Sequence, residues 1–148
     1  MLFRKDVFTE LKLSIEDYEF PNLENEPWDS DWLNVKIRVK HPEGSWKAIG
    51  ACLTAFELER LIEWFEKAAE GAEVEKYLSF TEPCLKFEIV KKEPGTLRIF
   101  FSYELAPPWI KTYEEEFFID FVVTGKELKR AAEDLRKELG KFPVRVGL

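Results

Sequence analysis

Two segments of the chain carry apolar residues at the three- and four-residue spacing of an amphipathic helix. The first begins at Thr54 and ends at Gly71, and the second begins at Thr124 and ends at Gly140. Each threonine is followed three residues later by a glutamate, the pattern of a capping box that satisfies backbone N–H groups at a helix start. Glycine tolerates the left-handed conformation that often follows a helix. The pattern therefore predicts two helices, each with one apolar face.

Most of the remaining chain alternates apolar and polar residues, as strands with one buried face do. The alternating segments span residues 8–20, 32–40, 46–53, 77–89 (interrupted at 81–83), 97–105 and 113–123. About six mainly antiparallel strands and two amphipathic helices predict a single α+β domain over residues 1–148, with both helices on the apolar face of the sheet. A sheet curled into a half-barrel is the alternative topology.

The composition indicates a packed protein with an acidic surface. Of the 148 residues, 45% are hydrophobic and 15% aromatic, which is sufficient for a core and excludes a disordered chain. The formal net charge of -7 argues against a nucleic-acid or anionic-membrane partner and suits a basic one. Neither a secretory h-region nor an apolar run of about 18 residues is present, so we expect a cytoplasmic protein.

Residues with catalytic or metal-binding potential are few. His41 is the single histidine and precedes Pro42 in a predicted turn, which favours a solvated residue over a catalytic base. No phosphate-binding glycine loop or dinucleotide fingerprint occurs. Cys52 and Cys84 have neither a CxxC spacing nor a nearby histidine, which favours buried free thiols over a zinc site and leaves a disulfide open. We therefore expect no catalytic residue, metal or cofactor.

The most unusual surface candidate is the segment PNLENEPWDSDW at residues 21–32. Its prolines and acidic residues predict an exposed loop. Aromatic anchors surrounded by carboxylates suit a basic protein partner, because the charges speed association and the rings supply buried contact area. The alternative is an ordinary loop whose tryptophans pack inward. The candidate partner-binding residues are Glu24, Glu26, Trp28, Asp29, Asp31 and Trp32.

Two further hypotheses use other parts of the chain. Glu82 precedes a proline in the segment TEP, and Trp109 follows two prolines in APPW; both could line the pocket of a small-molecule-binding module or enzyme. The alternative for Glu82 is a carboxylate that accepts hydrogen bonds from turn amides. The third hypothesis is a structural subunit that oligomerises through a sheet edge or through Phe118, which is predicted to point outward.

Four segments in order, GACLTAFELERLIEWFE, LSFTEPCLKFE, LRIFFSYELAPPW and a capped helix ending in KFPVR, resemble the WapI family of bacterial immunity proteins and its uncharacterised relatives. The likeness spans roughly residues 46–145 and is weakest in the acidic N-terminal third. It implies a small cytoplasmic protein that neutralises a cognate toxin domain, often a nuclease acting on tRNA, made by the same cell. Our leading hypothesis is therefore a non-enzymatic immunity-type protein that occludes a basic toxin with its acidic, aromatic loop.

Overall fold

The computed structural model describes residues 1–112 and 114–146, which form eight strands and two α-helices. The strands are β1 (Leu2–Asp6), β2 (Thr9–Tyr18), β3 (Trp32–Lys40), β4 (Trp46–Thr54), β5 (Tyr77–Ser79), β6 (Leu85–Lys92), β7 (Gly95–Phe101) and β8 (Phe118–Val122), and the helices are α1 (Ala55–Ala69) and α2 (Gly125–Lys141). Tyr113, the predicted start of the last strand, lies outside the described residues.

The strands form two antiparallel sheets of four, with the orders β1-β2-β3-β4 and β5-β6-β7-β8. This arrangement confirms the α+β class and corrects the predicted single sheet of six strands. β1 was missed because only Phe3 of its residues is buried, so it lacks alternation. The alternation over residues 77–89 predicts one interrupted strand, whereas the chain reverses between β5 and β6 and these two strands pair antiparallel.

Both predicted capping boxes are present. In the first, the backbone N–H of Glu57 donates to Thr54 Oγ1 and that of Thr54 donates to Glu57 Oε1, both at 3.1 Å. Gly71 follows α1 with a φ of 77°, as predicted. Gly140 lies inside the last turn of α2, one residue before its end. These local signals therefore predict the helix starts more accurately than the helix ends.

One hydrophobic core joins both sheets and both helices. The ring of Phe65 on α1 lies 6.0 Å from that of Phe3 on β1 and 5.7 Å from that of Phe87 on β6, and Phe3 also contacts Phe121 on β8. Phe118 points outward and is 39% exposed, as predicted from the alternation. Within the described segments, neither helix has the length and apolar character needed to cross a membrane.

Candidate functional site

The loop at residues 19–31 and the TEP segment meet at one end of the first sheet. β2 ends, β3 begins and β4 ends there, and α1 starts immediately after β4. The backbone N–H of Glu19 donates to the carbonyl of Trp32 at 2.8 Å, which closes the base of the loop. On the other side, the backbone N–H of Thr81 donates to Glu57 Oε2 at 2.8 Å, so the TEP turn is held at the start of α1.

This convergence brings carboxylates from two separate candidate segments together. Burial raises the pKa of Glu19, and the negative charges of Asp29 and Glu82 raise it further. Glu82 thus lies within electrostatic range of the acidic loop rather than in a separate site. We call the exposed carboxylates of this region the acidic end: Glu19, Glu24, Glu26, Asp29 and Glu82.

Aromatic side chains accompany these carboxylates. Trp28 is 66% exposed and is the one exposed tryptophan of the described segments. Phe20, in the same loop, and Phe56, in the first turn of α1, are 40% and 42% exposed. Neither phenylalanine is among the binding residues predicted from the sequence. Each breaks the local pattern, however, because it places a large apolar residue beside a polar turn or helix cap. The end of the sheet therefore combines negative charge with accessible apolar area.

The structure corrects the predicted exposure of two loop residues. Asp31 is only 1% exposed, and its carboxylate accepts the backbone N–H groups of Arg145 at 2.6 Å and Val146 at 3.1 Å. Trp32 is half-buried because it opens β3. Asp31 is therefore removed from the exposed acidic surface and instead positions the loop against the C-terminal segment.

The side chain of Arg145 binds the backbone of the acidic loop near both of its ends. Its guanidinium donates to the backbone carbonyls of Ser30 (2.6 Å from Nε), Pro21 (3.0 Å) and Phe20 (3.0 Å). The guanidinium carbon also lies 3.6 Å from the ring centroid of Tyr18, at the end of β2. These contacts fix both limbs of the loop, and sequence reasoning missed them because Arg145 is distant in the chain.

The predicted pocket walled by Glu82 and Trp109 is not formed. Trp109 packs on Trp46 (centroids 5.4 Å apart) and Phe117 (5.9 Å), at the opposite end of the first sheet from the acidic end. A Cβ added at Gly44, in the hairpin turn, would lie 2.8 Å from the Trp109 ring, so the ring fills the space above that turn. The small-molecule or enzyme hypothesis thereby loses the site on which it rested.

The TEP and APPW segments nevertheless approach each other through other residues. Cys84 follows TEP, Glu104 precedes APPW, and the Cys84 thiol donates to Glu104 Oε2 at 3.0 Å. Cys52 on β4 is next to them, and both cysteines are buried and free, as predicted. Hydrogen bonding to Cys52 and burial raise the pKa of the Cys84 thiol, while the hydrogen bond from Cys84 lowers the pKa of Glu104.

A cleft of about 240 Å³ lies between α1 and the second sheet. Its apolar walls include Trp64, Ile89, Leu97 and Leu128. The ionisable groups among its lining residues are lysines and one glutamate at the exposed rim, residues 91–93. The hydroxyl of Thr96, which also lines the cleft, donates to the backbone carbonyl of Pro94.

The outer face of the first sheet has the opposite charge. Lys12, Arg38 and Lys47 lie directly across from one another on β2, β3 and β4, and all three are exposed. We call these three residues the basic row. Glu10 and Glu16 on the same face pair with Arg4, Lys40 and Lys36, so this face carries more cations than carboxylates although the whole chain has a net charge of -7.

Comparison with known protein families matches residues 2–143 to the immunity protein WapI-like family. The match includes the N-terminal third, where the resemblance in the sequence is weakest. The acidic loop therefore lies within the region that the family model covers. No curated protein and no solved structure matches the chain. Because the match covers nearly the whole chain, this protein belongs to the immunity protein WapI-like family.

Proposed function

We propose that this protein binds a cognate toxin domain and neutralises it by covering its active cleft with the acidic end. Membership of an immunity family supports a binding role and a non-enzymatic one. The observation that carries the location is Trp28, which is 66% exposed between carboxylates on a loop held in place by Arg145. An exposed tryptophan on an ordered loop is typical of a binding anchor.

The charge of the acidic end defines the partner's chemistry. Burial raises the pKa of Glu19, and the negative charges of Asp29 and Glu82 raise it further, so a cationic partner would relieve the repulsion that these charges cause in the free protein. A nuclease domain is such a partner, since a cleft that binds phosphates is basic. The protein would act in the cytoplasm of the producing cell, where a nuclease toxin has its substrate.

The mechanism is steric and electrostatic. The exposed carboxylates Asp29 and Glu82 steer the basic cleft towards the acidic end and raise the association rate. Trp28 then becomes buried against the toxin and slows dissociation. Because Arg145 and Asp31 already order the loop, little conformational entropy is lost on binding.

The direct test is neutralisation of a candidate toxin domain, identified by sequencing the genes that flank this one. We expect co-expression to restore growth of a bacterial host that is arrested by the toxin, and the purified proteins to form a stable complex without toxin activity. Trp28→Ala should weaken rescue, whereas Trp109→Phe, at the opposite end of the sheet, should not. Full rescue by Trp28→Ala would exclude the loop as the anchor, and failure of the unmodified protein to rescue would exclude this partner class.

A further inference from the structure

We propose that Cys52, Cys84 and Glu104 form a binding site for a thiophilic divalent cation such as Zn²⁺. Their ligand atoms, two sulfurs and a carboxylate oxygen, all lie within 4.8 Å of one another. The cysteines are 0% and 1% exposed, whereas Glu104 reaches the surface. The sequence spacing alone argued against a metal, because the three residues come from separate parts of the chain.

The distances suit a tetrahedral ion. Zinc binds cysteine sulfur at about 2.3 Å and carboxylate oxygen at about 2.0–2.2 Å, so ligand atoms around one ion lie roughly 3.5–3.8 Å apart. The three ligand atoms lie no more than 4.8 Å apart, so small side-chain rotations would bring them to the distances needed to bind one ion. Three protein ligands leave one position for water, which can enter from the exposed side of Glu104.

The backbone around Glu104 is built to hold the carboxylate against the thiols. Tyr103 has a φ of 52°, a left-handed conformation that non-glycine residues seldom adopt, and it begins a short 3-10 helix containing Glu104. The Ser102 N–H donates to the Cys84 carbonyl at 2.9 Å, and Trp46 Nε1 donates to the Leu105 carbonyl at 3.1 Å. Glu104 is thus anchored on both sides.

A glycine on β4 permits this close approach. A Cβ added at Gly50 would lie 2.8 Å from Glu104 Cβ and 3.1 Å from Cys52 Sγ. Any larger residue at position 50 would therefore push the carboxylate away from the thiols. The strained turn, the two anchoring hydrogen bonds and the missing side chain all favour one arrangement, with Glu104 beside the two cysteines.

Metal binding would exchange protons for the ion. Without metal, the Cys84 S–H donates to the Glu104 carboxylate. Binding of the cation to both thiols and the carboxylate forms two metal–sulfur bonds and one metal–oxygen bond and releases the two thiol protons to solvent. The ion would join β4 of the first sheet to the segments that flank β6 and β7 of the second sheet. One of its ligands, Cys84, is two residues from Glu82 in the chain.

Cobalt(II) and zinc titrations of the reduced protein test this site. We expect one equivalent of Co²⁺ to give a thiolate charge-transfer band and intense tetrahedral d–d bands, which Zn²⁺ then removes. Zinc should also raise the melting temperature. Cys52→Ser and Cys84→Ser should abolish the bands, Glu104→Gln should weaken Co²⁺ binding by about tenfold or more, and Glu82→Gln should leave it unchanged.

Circular dichroism of each variant separates loss of the site from loss of the fold. If the serine variants do not fold, the band intensities of the unmodified protein still report thiolate ligation and tetrahedral geometry. Absence of thiolate bands in the reduced protein would overturn the proposal. Metal binding that survives both serine substitutions would also overturn it. So would a Cys52–Cys84 disulfide that forms in air and, after reduction, forms again in the presence of excess zinc.

Discussion

The carboxylate of Asp31 accepts the backbone N–H of Arg145 at 2.6 Å, although the two residues are 114 positions apart. The Arg145 side chain in turn donates to backbone carbonyls at both limbs of the loop that contains Asp31. This reciprocal arrangement means that the C-terminal segment shapes the acidic loop. The candidate binding surface is therefore a tertiary feature, even though its exposed carboxylates are mostly close in sequence.

Replacing Asp31 with alanine should destabilise the protein. The change leaves two backbone N–H groups, those of Arg145 and Val146, without their buried acceptor, and the expected loss is about 1–3 kcal/mol. Urea unfolding of the variant measures it. Asp31→Asn, which keeps one acceptor oxygen, should lose less, and Asp29→Ala, which changes an exposed loop residue, should lose least. Equal stability of Asp31→Ala and Asp29→Ala would contradict the structural role assigned to the Asp31 carboxylate.

Trp28 and Trp46 should respond differently to truncation. Trp28 is 66% exposed, so Trp28→Ala should change the free energy of unfolding by no more than about 0.5 kcal/mol. Trp46 is 6% exposed and donates to the Leu105 carbonyl, so Trp46→Ala should cost about 3–5 kcal/mol. Chemical denaturation compares the two. A large stability loss from Trp28→Ala would show that this side chain is a structural residue.

The acidic end should be visible in the titration of Glu19. Its pKa is raised, chiefly by burial and then by Asp29 and Glu82, so Asp29→Asn and Glu82→Gln should each lower it towards the ordinary value. The native state binds more protons than the unfolded state between the ordinary and raised values, so this group's contribution to stability falls as pH rises through that window. Side-chain NMR titration gives the pKa directly. An unchanged pKa of Glu19 in both variants would show that Asp29 and Glu82 do not interact electrostatically with it.

The basic row should be a source of instability in the free protein. Lys12, Arg38 and Lys47 are directly opposite one another, and like charges in cross-strand positions repel. Arg38→Thr, at the centre of the row, should therefore raise the free energy of unfolding by about 0.2–1 kcal/mol, with a smaller gain at high salt. Thermal unfolding at two salt concentrations measures both effects. Destabilisation that is independent of salt would refute this account.

Local signals in the sequence were sufficient for the helices and most strands. Thr54 and Glu57 form the predicted capping box, and the alternation from Phe117 to Val123 correctly separates inward and outward residues. β1 escaped prediction because its single buried residue, Phe3, produces no alternation. Its place beside β2 depends on pairing, which periodicity does not report.

The candidate sites were less accessible to sequence reasoning. Loop composition left open whether Trp28 is exposed or packs inward, and the structure shows that it is exposed. The burial of Asp31 depends on backbone groups at Arg145 and Val146. The proline-containing segments TEP and APPW predict a pocket lined by Glu82 and Trp109. The residues that contact each other beside these segments are instead Cys84 and Glu104. In each case the deciding contact joins segments far apart in the chain, and no spacing rule connects them.

The central claim is that the acidic end meets the toxin, and association kinetics with the cognate toxin domain test it most directly. Asp29→Lys combined with Glu82→Lys should slow association by about tenfold at low salt and flatten its salt dependence. Glu70→Lys combined with Glu133→Lys makes the same change in net charge where the C-terminal end of α1 faces α2, and it should have little effect. Equal slowing by both pairs would contradict the claim, because net charge rather than the acidic end would then govern binding.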